Sequence, residues 1–162
     1  MRKLRSEPKN LSADDVRAML DRFDLFDGVL NPAGNGFPHM YSKSEKVVSD
    51  EASGLIWQQG GSDNHRNVED ADDYINRLNS KKFAGYDDWR LPTLEEAMSL
   101  VEPIPKNGNL YIDAVFDRDQ SGIWTSDYSG FVTFRWVVDF VTGMCAYGTV
   151  GSSRAVRAVR AV

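Results

Sequence analysis

The sequence predicts an α+β protein: a helix near the N-terminus, a β-hairpin, two further helices, then a run of strands. Three observations lead there. Apolar residues recur at helical spacing in three segments before residue 102. After Phe116 the pattern turns to short β-rich runs separated by glycine-bearing turns. The chain has 162 residues, 41% hydrophobic and 27% charged, which suits one domain of ordinary globular composition.

The elements follow in order. Ser12 is an N-cap residue, Asp14 and Asp15 suit a first helical turn, and Val16, Met19, Leu20 and Phe23 form one stripe, so residues 13–24 read as an amphipathic helix. Gly28 and the run Asn31-Pro-Ala-Gly-Asn-Gly-Phe-Pro close it. Residues 1–42 therefore read as a leader helix and linker, and residues 43–162 as the main domain. Lys46-Val-Val-Ser and Gly54-Leu-Ile-Trp-Gln flank a turn and make a hairpin. From Asn67, the residues Val68, Ala71, Ile75 and Leu78 share a helical face, with acids crowding the other sides. Thr93 and Glu96 form a capping box for a third helix, whose stripe is Leu94, Met98 and Val101.

The strand-like runs are Gly122-Ile-Trp-Thr-Ser, Thr133 to Phe140, Met144-Cys-Ala-Tyr, and Arg154 to Val162. Along the longest, a two-residue period puts Phe134, Trp136, Val138 and Phe140 on one face, and Thr133, Arg135, Val137 and Asp139 on the other. The tail repeats Arg-Ala-Val three times, too short for a solenoid, and reads as a closing strand with a frayed end.

Composition narrows function. A net charge of −5 opposes sequence-independent nucleic-acid binding. Of the 24 acids, 19 lie before residue 103, while half of the 18 aromatics fall between Tyr111 and Tyr147. An acidic scaffold thus leads into an aromatic C-terminal third. The basic N-terminus is followed by no apolar export segment, and no run approaches the ~20 residues of a membrane span, so a cytoplasmic location is expected. The single Cys145 allows no internal disulfide. His39 and His65 have no partner at metal-ligand spacing, so no metal or other cofactor is expected. Cys145 in a strand reads as a small buried hydrophobe, and Asp87 and Asp88 beside Trp89 and Arg90 as structural residues, with Arg90 pairing a carboxylate and Trp89 filling the core.

The spaced set Asp50-x-x-Ser-Gly54-Leu-Ile-Trp57-Gln, Phe83-Ala-Gly85-Tyr-x-Asp88-Trp89-Arg90-Leu91-Pro92-Thr93-x-Glu95-Glu96, Ile123-Trp124-Thr125-Ser126 and the late Val-Arg-Ala-Val-Arg resembles one bacterial family. It is the DUF1566 family, also called the Legionella collagen-like protein C-terminal domain. The likeness runs from about Asp50 to Arg160. It implies a C-type-lectin-like fold: two helices beside a small twisted antiparallel sheet. The segment from Leu4 to Val16 is similar to leaders that precede such domains, some of them downstream of bacterial protein-kinase domains.

The C-terminal block also resembles the variable proteins of diversity-generating retroelements, which carry a hypervariable patch on a lectin-like sheet. That resemblance implies a ligand-binding domain, and the single cysteine with no assembled catalytic constellation leads to no enzyme being expected. Trp57, Trp89, Trp124, Trp136 and Phe140 would be framework. The recognition patch would draw on Asp127, Tyr128, Thr133, Arg135, Asp139 and Met144, then Ala146, Tyr147, Thr149, Ser152 and Ser153. Phe131 and Phe134 would be its anchors. Mixtures of Tyr, Ser, Arg and Asp suit adaptable recognition. Solvated strand faces carry the same residues, so either role is open for each of them. The expected partner is a protein, with a glycan as the other candidate, and neither nucleic acid nor membrane. The alternatives are an oxidase like the formylglycine-generating enzymes, whose chemistry uses two cysteines where this chain has one, and a sensory appendage of a signalling protein. Calcium-dependent sugar binding has little footing, because Glu102-Pro103-Ile104 lacks a third oxygen ligand.

Overall fold

The computed structural model describes residues 1–149 and 151–162, with Phe131, Val132 and Thr133 described in their backbone only. Helix α1 spans Ala13–Phe23, opened by a reciprocal cap in which Ser12 Oγ accepts the Asp15 N–H and the Asp15 carboxylate accepts the Ser12 N–H. Helix α2 spans Val68–Ser80 behind the Asn67 cap, and α3 spans Leu94–Ser99 behind the Thr93–Glu96 box. Helices α1 and α3 begin at the capping side chain that the sequence marks, and Asn67 proves to cap α2; each cap satisfies a backbone donor that the first turn leaves unpaired. Helix α3 departs from its expected stripe. All six of its residues are buried, polar Glu95, Glu96 and Ser99 included.

The strands are β1 (Tyr41–Ser44), β2 (Val47–Asp50), β3 (Leu55–Gln58), β4 (Gly122–Ser129), β5 (Phe131–Asp139), β6 (Met144–Thr149) and β7 (Val159–Ala161). They form two antiparallel sheets, in the orders β1-β2-β3-β7 and β4-β5-β6. Strand β1, Tyr-Ser-Lys-Ser, carries no apolar alternation, and its pairing with β2 is what makes it a strand. The expected hairpin is β2–β3, with Val48 opposite Trp57.

Both faces of the β4-β5-β6 sheet are covered. Trp136, Val138 and Phe140 join a core built with the leader and α3; Val137 and Trp124 join a second core with α2, Trp89 and Val156. The reading of β5 as one core face and one free face is therefore corrected. A middle strand flanked by two layers is apolar on both sides, and Val137 was already out of place on a solvent face. Gly148 records how tightly the second layer packs. A Cβ there would meet Trp124 at 2.7 Å and Val137 at 2.8 Å.

The leader is stitched into the main domain. Leu4, Leu11, Val16, Leu20, Phe23, Leu25 and Phe37 belong to the first core. Residues 9–11 run parallel along the outer edge of β4: Tyr128 N–H donates to Lys9 O at 3.1 Å and Leu11 N–H to Tyr128 O at 2.8 Å. Asn10 bonds Gly130 in both directions. The far edge of β4 is thus paired, as an open sheet edge requires.

The tail closes the first sheet as β7 with an exposed end, and the part before it is interior. Residues 155–159 are all buried. Ala155 pairs with β4, Arg154 with Arg66, and Val159 with both Arg90 and β3. The segment therefore ties the two sheets together, and only residues 161–162 are exposed.

Candidate functional site

The run from Asp88 to Glu96 holds the architecture together. Arg160 pairs with Asp88 at 2.6 Å. Asn79 accepts the Trp89 N–H at 2.8 Å and donates to Trp89 O at 2.9 Å, so α2 grips the segment that carries the buried indole. Arg90 forks onto the buried Glu96 carboxylate at 2.8 and 2.6 Å. Thr93 Oγ1 donates to Arg5 O at 2.7 Å, fastening the leader. The five framework aromatics, Trp57, Trp89, Trp124, Trp136 and Phe140, are all buried.

The expected patch residues divide. Asp127 is 0% exposed and leaves the patch altogether. Its carboxylate takes the Arg5 fork at 2.9 and 2.6 Å, the Lys9 N–H at 2.7 Å and the Leu94 N–H at 2.7 Å. That is a scaffold bond between the leader, α3 and β4. Asp139 accepts the Val141 N–H at 2.8 Å and shapes the β5–β6 turn; with Ser153 it lines a small recess. Met144 is half-buried, and a Cβ on Gly28 would meet it at 3.3 Å. The side chains of Phe131 and Thr133 lie outside the described residues.

The remaining patch residues fall on opposite sides of the sheet, because register decides where β6 side chains point. Phe134 lies opposite Thr149, and Trp136 opposite Tyr147, so Phe134, Tyr147 and Thr149 share the leader side. The sequence reading had placed Tyr147 and Thr149 with Arg135, and the register corrects it. Phe134 is 39% exposed and Tyr147 51%, the latter tilted against Trp136 at 4.4 Å. Thr149 and Ser152 complete a polar turn beside them, their hydroxyls 2.9 Å apart. These four make an aromatic ledge with a hydroxyl rim. On the other side, Arg135 lies opposite Tyr128 and faces a groove of about 530 Å³ between the leader, α2 and β4. Ala146 is exposed on that same side, opposite Val137.

Residues 46–160 match the family described as the Lcl C-terminal domain. The chain belongs to that family. A comparison with the curated proteins finds no match. Set on the structure, the Lcl C-terminal domain takes in α2, α3, the β4-β5-β6 sheet and the first sheet without β1, while α1, residues 9–11 and β1 precede the matched span. The residues that carried the resemblance are caps, clamps and core tryptophans. Ledge and groove lie around them.

Sequence reasoning passed over a buried pair. His39 and Asp50 bond at 2.7 Å, and the other ring nitrogen of His39 meets Ser99 O at 2.6 Å, joining β2 to α3. The two residues stand 11 apart and no motif links them; the Asp50-x-x-Ser spacing was the one available signal, and Ser53 does donate to Asp50. Burial pushes the Asp50 carboxyl up, yet hydrogen bonds from His39, Ser53 and the Met40 N–H outweigh it and hold it down at about 2. The folded value lies below the unfolded one, so the stabilisation is complete above about pH 4 and is lost as the pH falls toward 2. Urea titrations from pH 5 to pH 2 should show the parent losing roughly 2 kcal/mol more than Asp50→Asn. Equal losses in both would refute the assignment.

Cys145 is buried against Asp27, whose carboxylate accepts its N–H at 3.0 Å. Burial and the Asp27 charge push the thiol well above its usual range, so it stays protonated and poorly nucleophilic. Among the described residues no three His, Cys, Asp or Glu side chains gather as a metal would require. No helix is long and apolar enough to cross a membrane.

Proposed function

We propose that this Lcl C-terminal domain is a ligand-binding domain that recognises a protein partner at the free end of the β4-β5-β6 sheet, as the variable proteins of diversity-generating retroelements do. The observation that carries the reading is the aromatic ledge. The protein buries all four tryptophans, yet leaves Phe134 and Tyr147 uncovered side by side with hydroxyls at their border. Rigid aromatic area ringed by small polar groups is the composition of protein recognition surfaces. Tyr147 rests on the Trp136 indole, so the framework holds the ledge in place, while Phe134 and Thr149 stand exposed beside it. A C-type-lectin-like reading of the fold fits the same division between a fixed framework and a changeable end. An oxidase reading needs thiolate chemistry, and the protonated Cys145 weighs against it.

The test uses peptides selected from a random display library against the full chain. Phe134→Ala/Tyr147→Ala should weaken the selected peptides by more than about tenfold, the scale of a recognition hot spot. The melting temperature should stay within about 3 °C, as for surface substitutions. Peptides that bind parent and variant equally would sink the ledge. Sibling genes should vary at positions 134, 147, 149 and 152 while keeping Trp89, Trp124 and Trp136; the reverse pattern would remove the retroelement reading.

A further inference from the structure

On the opposite side of the sheet from the ledge, the groove contains one cation that the fold leaves unmatched. Arg135 projects from the middle strand, and its Nε is shut off from solvent with no hydrogen-bond partner among the described residues. A buried guanidinium donor without an acceptor is costly, and of the arginines in that state, Arg66, Arg135 and Arg157, Arg135 is the one that lines this groove. The other arginine of the groove, Arg90, is satisfied by both oxygens of Glu96. Glu7 and Asp72 stand on the rim as exposed acids, and no ion pair joins either to Arg135 among the described residues.

We propose that this groove binds a carboxylate of the protein partner, with the Arg135 guanidinium as its counter-charge. The proposal rests on the ligand-binding reading above and assigns that ligand a second point of contact. A carboxylate matches the planar fork of a guanidinium in charge and geometry. The rim decides against a phosphate. Glu96 neutralises Arg90, and the two rim acids outnumber the single Arg135 charge, so the groove would hold an anion by direct contact with the guanidinium, and a dianion would meet twice the rim repulsion of a monoanion. Tyr128 and Asn76 line the groove beside Arg135 and bring neutral hydrogen-bonding groups to the same place. The side-chain carboxylate of an acidic residue and the free carboxylate of a peptide C-terminus present the same chemistry.

The experiment is an NMR titration of the full chain with four probes: N-acetyl-glycylglycine, its C-terminal amide, N-acetyl-glutamate amide and glucuronate. The two carboxylate peptides should move the Arg135 Nε–H and the Asn76 and Tyr128 amide signals in a saturable way, and the neutral amide should not. A stronger response to N-acetyl-glycylglycine assigns a C-terminus, and one to N-acetyl-glutamate amide assigns an acidic side chain. Arg135→Met, which keeps an apolar stem in the strand, should weaken either by at least about tenfold. Equal shifts from the neutral amide, unchanged binding by Arg135→Met, or saturation by glucuronate alone would each overturn the proposal. Because the ledge variants leave Arg135 in place, a failure here is separable from a failure of the ledge.

Discussion

Arg157→Met is expected to lower the melting temperature by about 10 °C, through a loss of ~3 kcal/mol. Arg157 is wholly buried, with its ring of donors inside the protein. It donates to Gly60 O at 3.0 Å, Gln59 O at 3.3 Å, Asp117 O at 3.2 Å and Gln120 Oε1 at 3.2 Å, and it lies 4.9 Å above the Phe116 ring. Two effects compete. Burial disfavours the charge and draws the guanidinium down to about 10, so removing it relieves a desolvation cost. Methionine, however, removes four bonds to acceptors of two separate loops and orphans three of them, Gly60 O, Asp117 O and Gln120 Oε1, while Gln59 O keeps the Asp117 N–H. Four such bonds outweigh the relief, since a hydrogen bond to a charged group contributes ~1.5–3 kcal/mol. Arg157→Lys should fall between the two, keeping the charge but losing the fork. Calorimetry on the three proteins decides it, and a methionine variant that melts at or above the parent would show that desolvation wins.

Asp127→Ala should destabilise by about 3–5 kcal/mol, the scale for breaking a buried ion pair. The substitution strips Arg5 of its carboxylate and leaves the Lys9 and Leu94 N–H groups without their acceptor. The loss should be local before it is global. Limited proteolysis should cut the variant first within residues 1–12, because the leader loses the bond that fastens it to β4 and α3. A ligand-contacting aspartate would behave in the opposite way, with weakened binding and an unchanged melt. That outcome would restore Asp127 to the recognition surface.

The same residue shows what could be read from the chain and what could not. Local rules sufficed for Ser12 and Thr93, because a cap acts within three residues of itself. They sufficed to put Trp89 in the core and Arg90 on a nearby carboxylate, which is Glu96, but not to find Asn79. Asp127 is different: its partners are Arg5, Lys9 and Leu94, and no spacing rule reaches across 122 residues. The two-residue period correctly grouped Trp136, Val138 and Phe140. It could not show that a helix layer covers Val137 as well, nor which β6 residue faces which β5 residue, since register depends on the turn. The sequence offered the candidate patch as a region, the end of the last sheet. Its division into a ledge on one side and an arginine groove on the other came from that register.

The threaded tail has a consequence for how the protein comes to be folded. A chain is made from its N-terminus, yet residues 9–11 must wait for Tyr128, and β3 must wait for residues 159–161. Until those late segments exist, both sheets present unpaired edges and Trp57 and Trp124 lack part of their covering. Contacts so distant along the chain make for slow closure, and the waiting intermediate exposes sticky surface. The Ala-Val-Arg-Ala-Val run at 155–159 locks both sheets, so on the proposed reading a changeable surface and a fixed closing segment lie side by side along the chain.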